Sequence, residues 1–110
     1  MEQNNFFIEA RVYYADTDTQ GVIYHSTYLD FAERARTEFL REKGIIQSKL
    51  LSEQNILFAA KSINIEYNSP GKLDDVLVIT VEPQESKGII IKMEQKIYRK
   101  EGNVLLCKLN

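Results

Sequence analysis

The chain reads as an α+β fold in which one long helix packs against a single antiparallel sheet. Three observations predict it. Phe6 to Tyr14 alternates Phe6, Ile8, Ala10, Val12 and Tyr14 with Phe7, Glu9, Arg11 and Tyr13, which is the period of a half-buried strand. Ser26 to Lys43 contains neither Gly nor Pro and repeats its apolar residues at helical spacing. Beyond Leu57 the period returns to two, with turn residues between successive runs. One strand, one helix and then consecutive strands is the order of an α+β layout.

The first strand is followed by a polar, glycine-bearing loop, ADTDTQGVIYH. Ser26 and Thr27, both favourable N-cap residues, open the helix. Tyr28, Phe31, Ala32, Ala35 and Phe39 share one helix face, and Asp30, Arg34, Thr37 and Arg41 fall opposite. At a rise of 1.5 Å per residue the helix is about 27 Å long, enough to cross a sheet. Gly44 ends it, and a short helical piece over Gln47 to Gln54 follows, anchored by Leu50 and Leu51. Strands are predicted at Leu57 to Tyr67, Val76 to Glu82, Ile89 to Tyr98 and Val104 to Cys107. Asn68 to Gly71 and Ser86 to Gly88 are turns. Val76 to Val81 is apolar on both faces except at Thr80, as for a strand covered on both sides. One helix covers one face, so the other predicts self-association. With 110 residues and no repeat or linker, residues 1–110 form one domain.

Composition excludes several classes of function. A chain that is 44% hydrophobic and 27% charged lies far from the disordered range. Fourteen basic against 16 acidic residues leave no cationic excess to hold nucleic acid. No apolar run approaches the about 18 residues of a membrane span. The start MEQNNFFIEA lacks the pattern of a secretory signal, and the single Cys107 cannot form an intrachain disulfide, so a cytoplasmic location is expected. One His and one Cys do not supply the three or four ligands of a zinc site, and no metal or organic cofactor is expected. A serine triad is disfavoured because Ser26 is the chain neighbour of His25 and no G-x-S-x-G is present.

Reactive groups are densest between the first strand and the helix, where Tyr13, Tyr14, Asp16, Asp18, Tyr24, His25 and Ser26 gather. A loop feeding a helix start places unpaired N–H groups beside its carboxylates, so a developing oxyanion could be held there while a carboxylate attacks or activates water. One carboxylate at most is expected to share a site with His25, and Asp18, nearer the glycine turn, is preferred. Two competing readings remain: Asp16, Thr17 and Asp18 as turn formers, and His25 as a hydrogen-bonded structural histidine. An aspartyl-phosphate D-x-D motif fails on context, since Gln20 stands where Thr or Val is needed and the chain has no parallel sheet.

The run RVYYADTDTQGVIYHSTYLDFAERARTEFL, Arg11 to Leu40, closely resembles the signature of the 4-hydroxybenzoyl-CoA thioesterase family, and most of all its Tol-Pal-associated acyl-CoA thioesterase branch. The likeness continues at Ile65-Glu66-Tyr67 and Leu73-Asp74-Asp75-Val76-Leu77. The resemblance implies a hotdog fold, an antiparallel sheet wrapped around one long helix, with homodimers that place sites at the subunit interface and often pair into homotetramers. It also implies hydrolysis of an acyl-CoA thioester to free acid and CoA. Asp18 matches the catalytic carboxylate, with Tyr14 and His25 its companions, and the backbone of Tyr24, His25 and Ser26 matches the region that polarises the thioester carbonyl. Phe58, Ala59 and Ala60 correspond to the acyl pocket and Lys87 to the CoA tail. Two alternatives share the fold: a noncatalytic module that binds acyl-CoA or an acyl carrier protein, and an enoyl-CoA hydratase, whose motif is absent. Relatives continue into a full last strand, whereas this chain stops at Cys107-Lys108-Leu109-Asn110, so its final strand is expected to be cut short, frayed and open at the edge.

Overall fold

A computed structural model describes residues 6–84 and 90–110. Five strands, β1 (Phe6–Arg11), β2 (Ile65–Tyr67), β3 (Val76–Pro83), β4 (Met93–Arg99) and β5 (Val104–Leu109), form one antiparallel sheet in the order β1-β3-β4-β5-β2. The single long helix α1 (Thr27–Glu42) lies across one face, as the sequence predicts.

Alternation decides what each strand buries. Leu77, Ile79 and Val81 of β3 and Ile97 of β4 pack against Tyr28, Phe31, Ala32, Ala35 and Phe39 of α1. Ala32 and Ala35, with no accessible surface, fill the contact without pushing the helix off the sheet. In β5 both Leu106 and Cys107 are fully buried, which strict alternation forbids. A bulge explains it: Ile97 pairs with Cys107 but Tyr98 pairs with Leu105, so Leu106 is an extra residue and both neighbours turn inward. Gln95 crosses the helix–sheet contact, donating to the Ala32 carbonyl at 2.9 Å and accepting from Arg36 at 2.9 Å.

α1 ends as expected at Gly44, whose φ of +87° suits glycine. The Gly44 amide donates to Arg41 O and the Ile45 amide to Leu40 O, which together form a Schellman closure. Its other end departs from expectation. Ser26 is already helical at φ −69°, ψ −22°, and its side chain caps nothing. Asp30 and Arg34 are both exposed on the outer face.

Several strand bounds need correction. β1 stops at Arg11 rather than Tyr14, because Val12 bonds to Asp74 and Asp75 and the chain then enters a 3₁₀ turn at Tyr14–Asp16. The run Leu57 to Tyr67 is strand only over Ile65–Tyr67, since β2 is an edge strand with β5 on one side alone. Residues 55–64 are all exposed. Gln47 to Gln54 is an α-helical turn, Gln47–Lys49, running into a π-helical turn, Leu50–Gln54. β4 starts at Met93, later than predicted; Ile89 and the turn Ser86 to Gly88 lie outside the described residues. The last strand is the largest change. It is neither frayed nor at an edge: it runs to Leu109 between β4 and β2, and the edges are β1 and β2. Among the described residues no helix is long and apolar enough to cross a membrane.

Candidate active site at the helix start

Backbone bonds build the site from two turns. In the 3₁₀ turn the Asp16 amide donates to Tyr13 O, and the Asp16 carboxylate accepts from the Tyr13 amide at 2.8 Å. The Thr17 amide and hydroxyl both donate to Tyr14 O. A hairpin then runs from Thr17 to its bridge partner Ile23. The Asp18 amide donates to Val22 O, and the Gly21 amide to Asp18 O. Gly21 takes φ +77° at the position where a three-residue loop needs it. Asp18 Oδ1 accepts from the Gln20 amide at 2.8 Å and the Val22 amide at 3.4 Å, so this carboxylate helps fold its own loop.

Residues 71–73 clamp the hairpin from outside. Ile23 N–H donates to Gly71 O at 2.9 Å and Leu73 N–H to Gly21 O at 3.0 Å. The close approach favours glycine, since a Cβ on Gly71 would stand 2.5 Å from Ile23 Cδ1 and force that side-chain end to shift. The Gly71 amide in turn donates to the buried Tyr28 hydroxyl at 2.9 Å. Burial pushes the Tyr28 phenol above its ordinary range.

The hairpin delivers the chain to α1. Tyr24 N–H donates to Asp16 O at 3.1 Å, and Thr27 N–H to Tyr24 O at 3.0 Å. The amides of His25 and Ser26 have no backbone acceptor among the described residues. The His25 ring stacks on Tyr67 with centroids 4.3 Å apart and planes at 19°, and the Tyr67 hydroxyl donates to His25 O at 3.0 Å. This arrangement offers two amides without acceptors among the described residues and an imidazole held by its face, with the Asp18 carboxylate in the hairpin that leads into the helix, and such groups can stabilise an oxyanion and activate water.

Residues 20–106 match the Thioesterase superfamily. The chain belongs to that superfamily. It is 48% identical over 90% of its length to Acyl-CoA thioesterase YbgC of Haemophilus influenzae, covering 73% of that protein. To Acyl-CoA thioester hydrolase YbgC of Escherichia coli O6:H1 it is 41% identical over 86% of its length, covering 70%. The crystal structure of a probable thioesterase from Bartonella henselae superposes with a TM-score of 0.88 at 35% identity, over 96% of this chain and 86% of the other. The fold of this superfamily member is therefore the hotdog.

Against the superfamily resemblance, the structure brings some expected residues together and leaves others apart. Asp18 is half-buried in the hairpin, while Tyr24, His25 and Ser26 are exposed at the helix start. Tyr14 is 82% exposed on the 3₁₀ turn. The Tyr24 amide is engaged by Asp16, which leaves His25 and Ser26 as the unpaired donors. Residues two apart in an extended strand share a face, so extended geometry would not separate Asp16 from Asp18; the 3₁₀ turn does, by tying Asp16 back to Tyr13. Phe58, Ala59 and Ala60 lie in the exposed segment 55–64 and have no hydrogen bond, ion pair or ring contact with this corner among the described residues. Lys87 lies outside the described residues. Sequence reasoning gave no role to Tyr67, Tyr28 or Gly71. The available signals were a glycine in the turn Asn68 to Gly71 and a tyrosine ending the predicted strand Leu57 to Tyr67, neither of which points to His25 without the fold.

Proposed function

We propose that this protein is an acyl-CoA thioesterase, hydrolysing its substrate to a carboxylic acid and CoA with Asp18 as the catalytic carboxylate. The observation that carries the reading is the 48% identity, over 90% of the chain, to a protein named as an acyl-CoA thioesterase. The local geometry supports it. Asp18 Oδ1 is held by two amides, leaving Oδ2 to take a proton from water or to attack the thioester carbon. The oxyanion that forms would accept from the amides of His25 and Ser26. Collapse of the tetrahedral intermediate breaks the C–S bond, and CoA leaves as the thiolate and is then protonated. If Asp18 attacks, water hydrolyses the resulting anhydride and regenerates the carboxylate. His25 and Tyr14 orient the carboxylate, the water or the thioester. No metal enters this scheme.

We place the complete site between two copies of the chain. A groove of about 300 Å³ at the strand ends is lined by Arg11, Asp74, Asp75, Val76, Arg99 and Lys100, and includes none of Tyr14, Asp18 or His25. The acyl-pocket residues Phe58, Ala59 and Ala60, exposed on their own chain, would then face the Asp18 hairpin of a second copy, in a homodimer or homotetramer in the cytoplasm. The test is thiol release from short, long and aromatic acyl-CoAs. Hydrolysis of at least one class, most of it lost in Asp18→Asn, is expected; tight acyl-CoA binding with no thiol release from any class would overturn the reading in favour of a binding module.

A further inference from the structure

We propose that Tyr67 is the positioning residue of the helix start, holding His25 by its ring and by its carbonyl at once; this rests on the reading of that corner as a thioesterase site. α1 begins without its usual clamp, because Ser26 makes no side-chain cap bond. Tyr67 supplies the missing restraint from a different strand, 42 residues along the chain. Its hydroxyl donates to His25 O at 3.0 Å, fixing the peptide that carries the Ser26 amide. Its ring lies parallel to the imidazole at 4.3 Å, which limits an exposed side chain otherwise free to change rotamer.

Tyr67 is itself held from behind. Its ring meets Tyr28 edge-on at 5.7 Å and 63°, and the Tyr28 hydroxyl accepts the Gly71 amide whose carbonyl binds the Asp18 hairpin. Tyr67 and Tyr28 therefore set the spacing between the two halves of the site: one holds the helix start, the other holds the clamp on the carboxylate loop. Displacements near 1 Å at a reacting centre can cost about 10²-fold in rate, so a restraint of this kind falls on kcat.

His25 is the only histidine in the chain, so its imidazole proton signals in an NMR spectrum are unambiguous. In the wild type they are expected upfield of free histidine, shifted by the Tyr67 ring current. Tyr67→Leu should return them toward the free position and lower kcat by about 10-fold or more, with KM changed much less. Tyr67→Phe keeps the ring and loses only the hydroxyl, so it should retain the upfield shift and lose about threefold in kcat, consistent with one hydrogen bond. Tyr67 is partly exposed, so both variants are expected to fold, with a wild-type circular dichroism spectrum as the control. Histidine signals that do not move in Tyr67→Leu, or a kcat that does not fall when they do, would overturn the proposal. A wild type that hydrolyses no acyl-CoA would defeat the thioesterase reading and with it the catalytic consequence, while the NMR shift alone would still decide whether Tyr67 holds His25.

Discussion

The hairpin Thr17 to Ile23 and the segment 55–64 both lie outside the helix–sheet core, yet they are held in opposite ways. The hairpin closes within the chain: it bonds across itself, it is clamped by Gly71 and Leu73, and both Thr17 and Ile23 are buried. The segment is anchored only at its ends, by Asn55 and Ile56 to the preceding helical turn and by Asn64 to Asn110. Residues 57–63 make no backbone hydrogen bond among the described residues, although Leu57, Phe58 and Ile63 are large, apolar and exposed. An unpaired edge carrying apolar side chains is a surface to be covered. In the proposed dimer, one half of the site would be finished by one chain and the other half by a second.

The largest effect should come from the finished half. Asp18→Asn keeps an oxygen to accept from Gln20 and Val22, so the hairpin should fold unchanged while the basic and nucleophilic oxygen is lost. A fall of about 10²- to 10⁴-fold in kcat is expected, with the amide donors sustaining some residual turnover. Asp16→Asn should cost far less, because that carboxylate serves the Tyr13 amide. A greater loss for Asp16→Asn than for Asp18→Asn would show that Asp16 carries the chemical carboxylate.

The unfinished half predicts assembly. Light scattering at micromolar concentration should find a dimer or larger, and Ile63→Lys should shift it toward monomer with at least about a 10-fold loss of activity, as expected when a charge enters a packed apolar contact. A stable, fully active wild-type monomer would erase the contrast between the two regions.

The core was legible because burial and periodicity coincide there. Phe31, Ala32, Ala35 and Phe39 announced one helix face and are buried as read, while Val76 to Val81, read as apolar on both faces, buries Leu77, Ile79 and Val81 and leaves Val76, Val78 and Thr80 half-buried. Legibility failed where pairing, not residue type, decides structure. Leu57 to Tyr67 reads as a strand, with Ile63, Ile65 and Tyr67 alternating with Ser62, Asn64 and Glu66, but among the described residues no strand bonds to it before Ile65 apart from the Asn64–Asn110 contact. Leu106 and Cys107 were expected to fray, yet the β5 bulge and two flanking strands bury both. In the site, the turn chemistry of Asp18 and Gly21 was readable from local composition. The His25–Tyr67 stack joins residues whose proximity only the sheet order creates.

The hairpin's own clamp is the next test, at Gly71, against which the Ile23 side chain packs. Gly71→Ala places a Cβ 2.5 Å from Ile23 Cδ1 and 3.1 Å from Leu106 Cδ1. The end of the Ile23 side chain can shift, so a destabilisation of about 1–3 kcal/mol is expected, the range for overpacking. Thermal unfolding should report it as a lower Tm, accompanied by a reduced kcat because the clamp on Asp18 is displaced. Unchanged stability and activity would mean that the hairpin does not depend on this contact.

The smallest effect contrasts the whole exposed periphery with the deepest part of the core. Cys107 has no accessible surface, and burial pushes its thiol up to about 12. A free thiol titrates near 8.5, so between these values the unfolded chain releases a proton that the folded chain retains. The unfolded state then binds fewer protons, and stability falls as pH rises, by at most about 1.4 kcal/mol per pH unit from this group. Below about pH 8.5 the group is neutral in both states and contributes no pH dependence. Lysines and tyrosines also titrate in alkali, so the measurement is a difference: urea unfolding of wild type and Cys107→Ala from pH 8 to 10.5. Cys107→Ala should start less stable, having lost a packed sulfur, and then lose stability less steeply as the pH is raised. Parallel slopes would show that the thiol ionises as readily in the fold as outside it, which a fully dry site between β4 and β2 does not permit.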